Sequence, residues 1–320
     1  MLKYRTTLVI LLAMAVPTTA IEAKDNAPVK VSSSKSFKGV SNILIGSFNI
    51  AFINEKTDQA FAGRRGFGGS SAAKTHLEGV SPIEYQAITD AAYADFTERL
   101  KSAGYVIADR VQFISDPGIA KQTYVASGAQ GTVVYGKDSK AKALYYAPRA
   151  FGPTPIVPGE IGGGMFSGFG AVGPAMERNR FAIQNKQAIV NVRYVVDYAS
   201  AKHRGGSFAF SSSVKLTAQL AVVETLSTVT VTDEKGMLGT LALNDGIAVD
   251  GDFGDLADTT TGGQKVEQAL GNVIGMLGGI GTASRKFFTF RAEPAAYRDG
   301  ATEAARRTND IMVRQMMALR

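Results

Sequence analysis

Ser81-Pro82-Ile83-Glu84-Tyr85-Gln86-Ala87-Ile88, running on to Ala103-Gly104-Tyr105-Val106-Ile107-Ala108-Asp109-Arg110, decides how this chain is read. Ser81 is a helix N-cap, Pro82 suits the first helical position, and Glu84 completes a capping box, so the backbone N–H groups that a first turn leaves free are satisfied locally. Tyr85, Ile88, Ala92, Phe96, Leu100 and Ala103 recur every three or four residues and form one apolar stripe. Gly104 stands where a left-handed residue ends a helix. Tyr105 to Asp109 then starts a strand. Upstream, Ile43-Leu44-Ile45-Gly46-Ser47-Phe48-Asn49-Ile50-Ala51-Phe52-Ile53 is apolar on both alternating faces, which suits a central strand covered on both sides. Strand, connection, amphipathic helix and strand in that order make a βαβ-type unit with a helix on a sheet.

The rest of the chain is placed around this unit. Residues 21–41, Ser- and Lys-rich, read as a flexible lead-in. Residues 54–80, with Gly63-Arg64-Arg65-Gly66-Phe67-Gly68-Gly69, read as a polar connection. Thr132-Val133-Val134-Tyr135 is a short strand stopped by Gly136, and about residues 150–180 the Gly/Pro content predicts a long loop or insertion. In Ala188–Tyr198, Val190, Val192, Tyr194, Val196 and Tyr198 share one face, and Asn191, Arg193 and Asp197 the other, which predicts a half-buried antiparallel strand. Val214 to Val231 is β-rich, Asp233-Glu234-Lys235-Gly236 is a turn, and Met237 to Val249 continues as a hairpin partner. Gln264 to Gly279 reads as a helix with Gly271, Gly275 and Gly279 spaced by four, which lets another backbone approach closely. Lys286–Arg291 is a short strand, and Glu293-Pro294 opens a last helix to Leu319. The expected fold class is α+β or α/β: one domain over 42–320, a mixed twisted sheet with two to three packing helices.

Lys3 and Arg5, the apolar run Leu8–Val16, Pro17 and the small residues Thr18-Thr19-Ala20 have the order of a cleavable secretory signal over residues 1–20. Nine apolar residues are too few to cross a hydrocarbon layer, which needs about 20. Removing Lys3 and Arg5 lowers the net charge from +7 to about +5. That balance suits an envelope protein near anionic surfaces, and it lacks the clustered basic stripe of a nucleic-acid binder. The chain has no cysteine, which excludes disulfides, thiolate metal sites, a cysteine nucleophile and an acylated N-terminal cysteine.

No constellation marks an enzyme or a cofactor. Gly168-Phe169-Gly170-Ala171-Val172-Gly173 matches G-x-G-x-x-G, but no strand signal precedes it and Pro174 follows. Asp250-Gly251-Asp252-Phe253-Gly254-Asp255-Leu256-Ala257-Asp258 offers oxygens to calcium but lacks the EF-hand spacing, so a solvated turn is preferred. His76 and His203 cannot build a zinc site unaided. The residues left for contact with a partner or membrane are Phe166 and Phe169 in the Gly-rich stretch, with Gly271, Gly275 and Gly279.

Three segments carry a resemblance at the level of secondary structure. The first is Asn42–Phe52 leading through Ser81–Ala103 to Ala103-Gly104-Tyr105-Val106-Ile107-Ala108-Asp109-Arg110. The others are Ala188–Tyr198 and Leu216–Thr232 closed by Asp233-Glu234-Lys235-Gly236. Their order resembles the α/β domain of the CsgG-like (curli-secretion) and TolB N-terminal group of envelope proteins. Channel-forming members of that group are lipoproteins with two membrane-spanning hairpins. Here no cysteine is available for acylation, and Lys215 and Glu224 interrupt the one region, Gly206–Val231, that could be argued that way. The resemblance implies an exported cell-envelope scaffold, periplasmic, outer-membrane-associated or extracellular, that binds other envelope proteins or itself, with peripheral membrane contact possible and no nucleic acid. The alternatives are a secreted hydrolase with unmarked carboxylates and a ring-forming outer-membrane pore subunit.

Overall fold

The computed structural model describes residues 27–63, 69–134, 139–153, 155–157, 161, 168–204, 209, 211–260, 273–280 and 283–320. The expected signal segment lies outside them. In chain order the elements are β1 (Val29–Ser32), β2 (Asn42–Phe61), β3 (Ser70–Glu78), α1 (Pro82–Ser102), β4 (Val106–Ile107), α2 (Val111–Ser115) and α3 (Pro117–Ala120). Then come β5 (Ala129–Val134), β6 (Ser139–Tyr146), α4 (Gly168–Asn185), β7 (Ala188–Arg204), β8 (Ser211–Val222), β9 (Thr228–Thr232), β10 (Leu238–Leu243) and β11 (Ile247–Val249). The chain ends with β12 (Gly254–Asp258), β13 (Val273–Ile280), β14 (Ala283–Ala292) and α5 (Pro294–Leu319). The strands form one mixed 14-stranded sheet, and the fold is α+β.

The sequence pattern of α1 is realised as read. The Ser81 side chain accepts from the Ile83 N–H, the Glu84 carboxylate accepts from the Ser81 N–H at 3.0 Å, and Gly104 takes φ of 80°. Tyr85, Ile88, Ala92, Phe96 and Leu100 are buried. β2 runs parallel to β4 at Asn42 and Ile43, then parallel to β7 from Ile43 to Phe52. Its residues 43–53 are all buried because helices cover both faces of the sheet at this end. On one side α1 and α5 pack over Phe48, which meets Tyr93, Phe96 and Tyr194 with ring centroids 5.5–5.9 Å apart. On the other, α2, α3 and α4 enclose Leu44, Phe113, Ile119, Phe181, Ala182 and Ile189, with Phe113 edge-on to Phe181.

Five expectations are corrected. The 188–198 strand is not half-buried and antiparallel throughout: it runs parallel to β2 and antiparallel to β9 and β8, and it is buried over most of its length because both sheet faces are covered there. The lead-in is structured from Val29: β1 pairs antiparallel with β10, and Val29 and Phe37 are buried, so two apolar anchors outweigh the polar residues between them. The polar connection at 54–80 is largely strand, because β2 continues to Phe61 and β3 returns beside it. Alternation governs there: Lys56, Asp58 and Ala60 face inward, and so do Ser71, Ala73, Thr75 and Leu77. Within the expected insertion, α4 begins at Gly168, anchored by buried Phe181 and Ala182. Residues 273–280 of the expected glycine-spaced helix are instead β13, antiparallel to β8. Each glycine costs about 1 kcal/mol in a helix, and Val273, Ile274 and Ile280 are β-branched residues suited to a strand. Residues 264–272 lie outside the described residues.

One polar side chain ties the layers together. Asn309 on α5 is fully buried, donates to the Ala92 carbonyl and Asp95 Oδ2 on α1 (both 2.9 Å), and accepts from the Tyr194 hydroxyl on β7 at 2.9 Å. Asn309→Leu strands that buried hydroxyl, and urea unfolding is expected to show a loss of about 1–3 kcal/mol. An unchanged midpoint would mean that the hydroxyl finds another acceptor.

Candidate functional site

Beyond the helices the sheet divides. β2 leaves β7 after Phe52 and takes β3 as its neighbour from Glu55, across an irregularity between Ile53 and Glu55 in its pairing with β6. β7 pairs with β8 from Val196 onward, with a bulge between Asp197 and Ala199. Two β layers therefore face each other, joined by Ser71 Oγ to the Ser212 carbonyl (2.8 Å) and by the Tyr198 hydroxyl to Thr75 Oγ1 (3.0 Å).

Lys56 lies where the layers part. It is 2% exposed, and its Nζ donates to Asp197 Oδ2 at 2.7 Å and to the Ala199 carbonyl, with Asp58 Oδ2 3.7 Å away. Asp58, itself fully buried, accepts from Ser139 Oγ at 2.5 Å through Oδ1, and His203 Nε2 lies 3.5 Å from the same oxygen. A cleft of about 590 Å³ opens beside the group, with Gln219 and Glu224 on its wall. Burial alone would depress the Lys56 ammonium, but the Asp197 and Asp58 carboxylates outweigh it, and the net displacement is upward from the ordinary 10.5.

This geometry limits the chemistry. A lysine held protonated cannot act as an amine nucleophile at neutral pH. In a nucleophilic triad the histidine stands between hydroxyl and carboxylate, whereas here Asp58 stands between Ser139 and His203. A glycosidase pair needs open space between its carboxylates, and the Lys56 ammonium fills the space between Asp58 and Asp197. The cluster works as a clasp at the fork of the sheet. Sequence reading missed it because Lys56 and Asp58 fell in an apparent connection, although their i, i+2 spacing was strand spacing.

Three of the five sequence-derived contact residues fall in described elements. Phe166 and Gly271 lie outside the described residues, and Phe169 is in the first turn of α4. Gly275 and Gly279 are on β13, where Gly275 falls at a shift of register between Ile274 and Met276, so they form no helical stripe. The G-x-G-x-x-G glycines open α4 and run into it. Asp255 and Asp258 belong to β12, and Asp258 pairs with Lys286 at 3.0 Å. Among the described residues no group of three or more His, Asp or Glu side chains is placed to hold a metal, and no helix is long and apolar enough to cross a membrane. No protein-family model, curated protein or solved structure matches the chain.

Removing one partner of a buried ion pair leaves a charge uncompensated, so Lys56→Met is expected to cost about 3–5 kcal/mol in urea unfolding. Adding Asp197→Leu to it is expected to recover part of that loss; no recovery would mean that the Ala199 carbonyl, not the charge, is what Lys56 serves. The pH dependence has a definite sign. The Lys56 ammonium and the buried Tyr194, Tyr198 and Tyr297 hydroxyls are all displaced upward in the folded chain, the tyrosines chiefly by burial. Their contribution is complete below the unfolded values, about pH 10, and is lost as pH rises through the folded ones. Melting curves are expected to hold level toward pH 9 and to fall steeply above about pH 10.5.

Proposed function

We propose that this is an exported cell-envelope protein that works by binding and assembly, its partner another envelope protein or a second copy of itself. The observation that carries the reading is the β5 edge. β5 hydrogen-bonds to β6 on one side, and among the described residues no strand pairs with the other. Its sequence, Ala129-Gln130-Gly131-Thr132-Val133-Val134, has no charge and no proline, and Gln130, Thr132 and Val134 are exposed. Natural sheets guard such edges with charge, proline or cover unless the edge is used, and strand addition to an open edge is a common mode of recognition.

Other features agree with this reading. The signal-like residues 1–20 and the absence of cysteine suit a released, unacylated chain. The order of β2, α1, β4 and β7 is the order that resembles the CsgG-like group. The outward faces of β3, β6, β7 and β8 carry exposed Lys74, Lys140, Lys142, Lys202 and Lys215. Those lysines favour a water-facing or anionic surroundings over lipid tails, and so favour a scaffold over a pore.

Two measurements test the proposal. N-terminal sequencing of chain recovered from the cell-envelope fraction is expected to start at Ile21 or Lys24; an intact Met1 in the cytosol would overturn export. Sedimentation of the mature chain, alone and with the envelope proteins that co-purify with it, is expected to show a complex that Gln130→Lys with Val134→Lys weakens about tenfold or more. A purely monomeric chain with no partner, or a complex indifferent to both lysines, would overturn assembly through this edge.

A further inference from the structure

The sheet face under α4 changes character within two residues. It begins apolar, with Leu44 and Ile189 beneath Phe181. One step further along the same strands it becomes a polar array. In register, Ser47 lies opposite Asn191 and Asn191 opposite Thr230, and in the next row Asn49 lies opposite Arg193 and Arg193 opposite Thr228. These are central strands of the sheet, where apolar side chains would cost least. Asn49 is nevertheless 1% exposed and Ser47 4%.

A dedicated backbone device aims this array. Between Ile45 and Ser47 the β2–β7 register shifts at Gly46, a bulge that turns Ser47 and Asn49 onto the α4 face. A Cβ at Gly46 would stand 2.6 Å from Ile189 Cγ2 and 2.7 Å from Asn191 Oδ1, so only glycine fits. Arg110 holds the bulge from outside, its guanidinium donating to the Ile45 carbonyl at 2.6 Å and the Gly46 carbonyl at 3.1 Å while stacking 3.5 Å over the Phe151 ring. Asn179 on α4 donates to the Gly236 carbonyl at 2.6 Å, fixing the helix over the array.

Between helix and sheet lies a cavity of about 370 Å³. Arg193 enters it from β7 and Arg178 from α4, and the rest of the polar wall is amide and hydroxyl; among the described residues no carboxylate lines it. A guanidinium has five N–H donors, enough to serve a protein acceptor and a ligand together. Planar guanidiniums match the oxygens of phosphate in a way that a lysine does not. We propose that this cavity binds a phosphate group, inorganic or carried on a small ester or lipid headgroup, between Arg178 and Arg193, with Asn49, Asn191 and Thr230 completing the ring of donors. The site is separate from the Lys56 clasp and from the β5 edge, and stands or falls independently of assembly.

Calorimetric titration of the mature chain with inorganic phosphate tests it. Binding with a Kd tighter than about 5 mM supports the proposal, and weaker binding or none overturns it. Arg193→Gln and Arg178→Gln remove a fork each, and Asn49→Asp places a carboxylate against the anion. Each variant that keeps the wild-type circular dichroism is expected to bind at least about threefold more weakly, with Arg307→Gln on the exposed side of α5 as the unchanged control. Smaller losses in the folded variants would overturn the assignment; if none of the three folds, the wild-type titration decides. Glycerol phosphate and vesicles of phosphatidylglycerol against phosphatidylcholine separate the sources. Preference for the anionic vesicles, abolished by Arg193→Gln, places the phosphate on a lipid, and binding of the soluble ester without vesicle preference places it on a small molecule.

Discussion

A strand has only two edges, and β2 changes partner on both, from β4 to β6 on one and from β7 to β3 on the other. The edge that serves β7 as far as Phe52 serves β3 from Glu55 onward. Two layers must separate at that handover, and the backbone of β7 loses its neighbour just where the chain is buried. Lys56 resolves the conflict. Its ammonium reaches the Ala199 carbonyl that β2 no longer serves, and the Asp197 and Asp58 carboxylates keep it charged. A hydrophobic side chain of the same size would fill the space but could not serve the carbonyl. The buried charge thus answers a need set by the topology.

The core changes along the strands accordingly. At the helical end it is aromatic and aliphatic, built on Phe48, Phe96, Tyr194 and Ile50. Past the fork buried hydroxyls join it: Ser71, Thr75, Ser139 and Ser212 lie beside Ala60, Ala73 and Ala141, with Val214, Leu216 and Phe290 still in the core. Two facing β layers with small interior side chains come close together, and their hydroxyls bond across the gap.

That gradient explains what could be read in advance. The α1 helix, the 43–53 strand and the 188–198 strand declare themselves through local rules of capping, period and alternation. Lys56, Asp58 and Asp197 do not, because the need for them arises from a change of partner between segments some 140 residues apart in sequence. Composition also misled where packing decides: glycines at Gly275 and Gly279 read as a helix seam, yet the segment that holds them pairs with β8, Gly279 opposite Ser212 and Gly275 at a shift of register. The polar array under α4 was half legible, since Asn191 and Arg193 were seen to share a face. Its other half depended on the Gly46 bulge, which reverses the alternation of β2 and leaves no mark in a hydropathy pattern.

The pairing of β3 with β14 sets when the molecule can fold. Ser70 lies beside Ala283 and Glu78 beside Arg291, so the inner hairpin stays half-finished until nearly the whole chain has been made. The same holds for α1, which packs on the C-terminal helix α5. Contacts this distant in sequence make folding slow. A nascent chain of this design remains pliable for long after synthesis begins, a delay in keeping with the export proposed above, in which a chain crosses the membrane open and acquires its shape on the far side.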